Sequence, residues 1–303
     1  MSKTGFTKRI FLFLIISLFW INPSQAKIIT SLKPLGFITQ AIADGVTDTE
    51  ILIPDGASPH NYALKPSDIV KLKSADLIIW IDEDMETFLP VILKGIDDNK
   101  QLKLADEQMI SVLLHSNNEH EHAHEHGDHF HHGENDLHIW LSPEIAKASA
   151  KLIYDKLLIL YPQKQQILTE NLKNFENEVN QTKLSIAKML SNVQNNGYFV
   201  FHDAFGYFES DFGLNKLGSF TVNPAMAPGL KKIYEIQTEL KNKRAVCIFR
   251  EPQFSPAIIT KLVQGTDVKV GELDPLGMDI NTTKDAYGRF LTNLAQQYLN
   301  CLQ

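Results

Sequence analysis

Cysteine is scarce in this chain of 303 residues: Cys247 and Cys301 are the two present, both in the last quarter. No CxxC spacing supports two thiolates on a metal, although that reading stays open; for an exported chain one disulfide is the natural one. It would tie an apolar strand, AVCIF, to a C-terminal helix and stabilise by about 4 kcal/mol in the chain-entropy model. Long apolar runs are missing beyond the N-terminus, so no later segment reads as a membrane span. Positive charge is in deficit, with 29 Lys and Arg against 36 Asp and Glu and a net charge of -7. That balance speaks against nucleic acid or anionic lipid as a partner and suits a cation. The metalloprotease motif HExxH does not occur.

What is present begins with residues 1–26, which read as an export signal. Lys3, Lys8 and Arg9 form a basic start, Ile10 to Ile21 is apolar, and Ser24-Gln25-Ala26 offers a small-x-small site with cleavage after Ala26. The apolar stretch is shorter than the roughly 20 residues a span needs, so an uncleaved anchor is the weaker reading. No Cys follows the site, which argues against a lipid-anchored start. The mature chain would have 303 less 26, or 277, residues, and losing three positive charges moves the net charge from -7 to -10. That length suits one large or two medium domains.

Short apolar runs alternate with helical periodicities. Strands are expected at 28–32, 50–53 and 77–81, with helices at 35–43, 67–74 and 86–96. The second half repeats the scheme, with strands at 198–201, 216–220, 245–249 and 268–271 and helices at 205–211, 230–242, 256–264 and 285–301. Apolar runs of four to six residues between helices indicate parallel sheets with helices on both faces, hence an α/β fold of two similar lobes. Between them, 164–191 holds no Gly or Pro, and Leu168, Leu172, Phe175, Val179, Ile186 and Leu190 keep one stripe on a helix. It reads as a long backbone helix joining the lobes, rather than a surface helix of one of them. The expected division is a signal at 1–26, a first lobe at 27–162, a linking helix at 163–193 and a second lobe at 194–303.

Histidine carries the chemistry. Eight of the eleven lie between His115 and His132, interleaved with Glu and Asp. Such a tract has no core of its own, but its imidazoles are mostly neutral at pH 7 and can hold ions loosely. His120, His122, His124, His126, His129, His131 and His132 are therefore read as weak accessory metal sites on a collecting loop. His60, His138 and His202 stand alone. His60 ends the turn-rich PDGASPH after a strand, His138 precedes a helix that Ser142 caps and Pro143 opens, and His202 ends the strand YFVFH. Ligands of open α/β sheets bind at the carboxyl ends of strands, where His60, His202 and Asp274 all fall. Three imidazoles with a carboxylate or water suit tetrahedral Zn(II), whereas manganese favours more oxygen. Asp274 is the expected fourth ligand, with water as the alternative. The acidic turn Asp82-Glu83-Asp84 reads as solvated surface.

The stretches GASPHNYALKPSD, HIWLSPEIA, GYFVFHDAFGYFE, FTVNPAMAPG, EPQFSPA and LDPLG run through nearly the whole mature chain. Together they resemble the zinc-binding solute-binding proteins of bacterial high-affinity zinc ABC transporters. The resemblance implies two (β/α) lobes joined by a long helix, a metal between them on His60, His138 and His202, and a Cys247–Cys301 disulfide. It also implies a periplasmic, monomeric, non-enzymatic protein whose partners are a zinc ion and a membrane permease. Two positions inform the choice of metal. Some zinc-binding members carry Glu before the first ligand, where this chain has Pro59, which cannot coordinate; manganese-binding relatives typically carry Glu at the place of His202.

Three functions compete at this stage. Capture of Zn(II) for an importer needs no catalysis; a zinc hydrolase would need a general base beside a ligand, and none is evident; a periplasmic zinc buffer would work through the tract alone. The first accounts for both kinds of histidine.

Overall fold

The structure is a computed structural model that describes residues 26–116, 135–222, 224, 229–242, 244–255 and 257–303. Residues 1–25 of the expected signal and the seven accessory histidines of the tract lie outside the described residues.

Three apolar runs of the first half build a sheet from β1 (Ile28–Thr30), β2 (Thr49–Ile51) and β3 (Leu77–Trp80). A fourth strand, β4 (Gln101–Lys103), was not expected. It is three residues long and only Leu102 among them is buried, so it carries no periodicity to detect. The order is β2-β1-β3-β4 and every pairing is parallel. The strands β1 and β3 are buried along their length, as a parallel sheet covered on both faces requires. Helices α1 (Lys33–Ala43) and α2 (Pro66–Lys73) supply the first crossovers.

The helix expected over 86–96 is corrected to a short α3 (Pro90–Leu93) after a tight turn. Glu86 explains the difference. Its carboxylate turns inward and accepts from Ser31 Oγ at 2.5 Å and from the amides of Ile81 at 3.2 Å and Asp82 at 3.0 Å. Pro90, with no N–H to give, starts a helix instead of continuing one. The acidic turn beside it is less solvated than its composition suggests. Lys103 reaches Asp82 Oδ2 at 2.9 Å, Asp106 Oδ2 at 3.2 Å and also Glu83.

After α4 (Gln108–Ser111), the chain forms α5 (Pro143–Leu160) and α6 (Gln165–Leu190). At 26 residues α6 runs about 39 Å. Leu168, Phe175, Val179, Ile186 and Leu190 are its buried stripe. It packs on α1 and α5 of the first lobe and on the last helix, α10 (Ala286–Leu302), of the second. The second sheet contains β5 (Gly197–His202), β6 (Lys216–Thr221), β7 (Ala245–Arg250) and β8 (Lys269–Glu272) in the order β6-β5-β7-β8, again all parallel. Its crossovers are α7 (Gly206–Phe212), α8 (Leu230–Lys241) and α9 (Ala257–Leu262). Each lobe thus repeats one strand order, and the two-lobed α/β expectation holds. The Cys247–Cys301 disulfide ties β7 to α10, with Cα atoms 6.0 Å apart. Among the described residues no helix is long and apolar enough to cross a membrane.

Candidate metal centre

A parallel sheet delivers the carboxyl ends of its strands to one side, and here both sheets deliver them to one cavity. After β2 the chain turns through Asp55-Gly56 toward His60. Gly56 has φ +81°, a left-handed conformation that glycine adopts without a Cβ clash. The turn closes with Ala57 N donating to Pro54 O at 3.2 Å, and His60 N reaches Ser58 Oγ at 3.4 Å. His202 is the last residue of β5 and only 3% exposed. His138 precedes a 3₁₀ turn over Ile139–Leu141, and Ser142 Oγ then caps α5 by accepting from Ile145 N at 3.4 Å.

These three residues, 142 positions apart from first to last, meet. Their ligand atoms all lie within 4.8 Å of one another. His138 Nε2 is 3.4 Å from His60 Nε2, and the ring of His202 stands 4.8 Å from each of the other two, centroid to centroid. The cavity beside them is also lined by Trp140, Glu251, Gln253, Phe254 and Leu276. The cavity is small, with room for one ion or one water.

Two acids that the sequence reading missed complete the arrangement. Asp136 Oδ1 accepts from the backbone N of His138 at 3.0 Å and lies 2.7 Å from its Nδ1. Glu251 Oε2 lies 3.5 Å from His202 Nδ1. The Asp136 carboxylate at Nδ1 of His138 places that ring's proton there and turns its Nε2 lone pair toward the cavity. Among the described residues His202 Nε2 is buried with no hydrogen-bond partner, as are Glu251 Oε1 and Gln253 Oε1 of residues on the same wall. Unpartnered buried polar atoms are costly, and three facing one small cavity point to a missing ligand. The signals in sequence were slight: Asp136 stands two before His138, an Asx-turn spacing, and Glu251 follows an apolar strand.

Asp274 is not in the imidazole cluster. Its Oδ1 accepts from Gln253 Nε2 at 3.1 Å and from Leu276 N at 3.0 Å, and its Oδ2 from Met278 N at 2.5 Å. It stands after β8 at the expected edge, tied into the loop that follows.

Burial sets the electrostatics. It pushes His60 down to about 2, helped by repulsion from the other two imidazoles, and holds His202 well below the ordinary range, with His138 adding to the effect. Burial pushes Glu251 up to about 8 against the opposing pull of His138 and of a hydrogen bond from His202. His60 and His202 are therefore held neutral, the form that coordinates a cation.

Comparison with known proteins agrees with this geometry. Residues 28–301 match the ZnuA family, described as zinc-uptake complex component A, periplasmic. The high-affinity zinc uptake system protein ZnuA of Yersinia pestis is 49% identical over 295 residues, covering 93% of each chain. Its counterpart from Haemophilus ducreyi is 43% identical over 291 residues, covering 92% of this chain and 94% of that one. In fold, the chain is similar to a crystal structure of ZnuA, with a TM-score of 0.77, 23% identity and coverage of 92% and 99%. It is equally similar to the periplasmic zinc-binding protein TroA of Treponema pallidum, with a TM-score of 0.77, 19% identity and coverage of 92% and 99%. With the family match spanning both lobes and their connecting helix, this chain belongs to the ZnuA family of periplasmic zinc-uptake components.

Proposed function

We propose that the protein captures one Zn(II) between its lobes on His60, His138 and His202 and hands it to the membrane permease of an ABC importer. The observation that carries this reading is the convergence of three imidazole nitrogens on one small cavity. Three nitrogens suit zinc, whereas manganese favours more oxygen ligands. Capture and delivery fit better than turnover, because the cavity leaves no room for an organic substrate beside the ion. The zinc is cargo, not a resident cofactor.

Asp274 is our candidate for the fourth ligand, reached by exchanging the Gln253 amide for the ion. The histidines of 119–132 serve as weak collecting sites, dispensable for tight binding. The mature protein acts in the periplasm as a monomer after cleavage behind Ala26. Such cleavage would leave the new terminal nitrogen on Lys27, 2.9 Å from Asp76 Oδ2.

Competition calorimetry against a zinc chelator tests the assignment. His60→Ala and His202→Ala should each abolish the tight site, Asp274→Asn should weaken it about tenfold, and deletion of 119–132 should leave it intact. Undiminished tight binding in both histidine variants would refute the ligand set.

A further inference from the structure

The three imidazoles are not held alike. His138 and His202 each have an acidic side chain beside Nδ1, Asp136 at 2.7 Å and Glu251 at 3.5 Å, and stand at the edge of a regular element. Among the described residues no carboxylate pairs with His60, which is also the most exposed of the three and lies on an irregular loop. That loop closes on itself through local bonds, from Ala57 N to Pro54 O and from Asn61 N to Ser58 O.

A lysine ties it to the opposite lobe. Lys33 Nζ, at the start of α1, donates to Asp55 Oδ1 at 2.8 Å, in the loop itself. It also donates to the carbonyl of Met278 at 2.6 Å, 245 positions along the chain. The Lys33 side chain is 12% exposed, so its bond to Met278 O is partly shielded from water, while its bond to Asp55 lies at the surface. Met278 is fastened in turn: its N donates to Asp274 Oδ2 at 2.5 Å, and its Sδ lies against Gly56, where a Cβ would stand 3.6 Å away. One ammonium thus joins the base of the His60 loop to the segment that follows Asp274.

We propose that Lys33 is a positioning residue, a pin between the lobes that keeps the His60 loop closed over the ion and sets how fast the ion leaves. The proposal rests on His60 being a ligand. An ion on three nitrogens leaves only after one of them withdraws, and the unbraced His60 is the one free to do so. Withdrawing its loop breaks the two charge-assisted bonds of Lys33. The ion-free structure already holds both bonds, so the same opening precedes the ion's arrival, and the cost slows exchange in both directions.

Stopped-flow zinc release from the full chain into excess chelator, with the association rate measured in parallel, tests the pin. Lys33→Met should release zinc at least about tenfold faster and speed association in the same direction. Lys33→Arg, which can reach both acceptors, should restore slow release. Asp55→Asn, at a site 59% exposed where folding is not at risk, should speed release in the same direction. Release within twofold of wild type in both Lys33→Met and Asp55→Asn would overturn the proposal, as would an Arg variant as fast as the Met one. A wild-type chain with no tight zinc would instead overturn the ligand assignment beneath it.

Discussion

Glu251 and Asp136 show how single side chains decide what three imidazoles can do. Asp136 fixes the proton of the His138 ring on the nitrogen away from the cavity, Glu251 stands beside Nδ1 of His202, and such supporting groups are worth about 10–100-fold in metal affinity. Glu251→Gln and Asp136→Asn should accordingly lower zinc affinity by roughly that range while leaving binding detectable by the same competition assay. Burial of these groups also gives the ion-free protein a definite pH response. Glu251, pushed up to about 8, and Glu86, pushed up to about 7, both by burial, keep protons in the folded state that the unfolded chain releases near 4.5. The stability this contributes is full below about 4.5 and is lost as pH rises toward 8. His60 acts in the opposite sense: pushed down to about 2, it stays neutral when folded, so stability falls once the unfolded chain takes up protons below about 6.5. Between pH 8 and 6.5 the carboxyl groups dominate. The melting temperature of chelator-treated protein should rise as pH is lowered through that window, and Glu251→Gln should flatten the rise. A melting temperature that falls instead would contradict the burial argument.

At the level of elements, the loop after β8 shows a tight dependence on its neighbours. Gly277 of the LDPLG stretch has φ +64°, and a Cβ there would stand 2.9 Å from ring carbons of both Phe37 on α1 and Phe290 on α10. Those two rings lie 5.9 Å apart in the core shared by the lobes. Gly277→Ala should therefore cost about 2 kcal/mol through strain and overpacking. For a chain of this size that is roughly 4–8 °C in thermal unfolding. An unchanged melting temperature would mean the loop can shift off the two rings. The strands β1, β3, β5 and β7 were legible because buried parallel strands are continuous apolar runs bounded by turns. The strand β4 was not, because three residues on a sheet edge carry no pattern. The helix expected at 86–96 failed for another reason: its periodicity is real, but Glu86 takes up backbone amides of the preceding strand end and bends the chain.

For the whole molecule, α6 lies along helices of both lobes and bonds cross directly beneath the cavity. Trp140 Nε1 donates to Pro275 O at 2.7 Å, and Tyr287 OH donates to Trp140 O at 2.9 Å. The Cys247–Cys301 bond adds a covalent brace between β7, which leads to Glu251, and α10, which packs on α6. It closes a separation of 54 residues, so its loss should destabilise by about 2–4 kcal/mol. Urea unfolding of Cys247→Ala/Cys301→Ala should register that loss while zinc affinity changes little, since neither sulfur reaches the cavity. An unfolding midpoint equal to that of the wild type would show the brace to be idle.

The sequence by itself determined the parts that depend on near neighbours. Apolar runs specify parallel strands, a stretch without Gly or Pro specifies the long helix, and three histidines next to strand or helix ends specify the candidate ligands. Tertiary structure alone decided which atoms meet. The carboxylates of Asp136 and Glu251 became partners of ligand rings, Asp274 was drawn into its own loop, and Lys33 found the carbonyl of Met278 across the seam. The physical reason is that local patterns report burial and backbone preference, which act over a few residues. The meeting of distant side chains depends on how two sheets and a long helix pack, and that is settled by many weak contacts that no single stretch encodes.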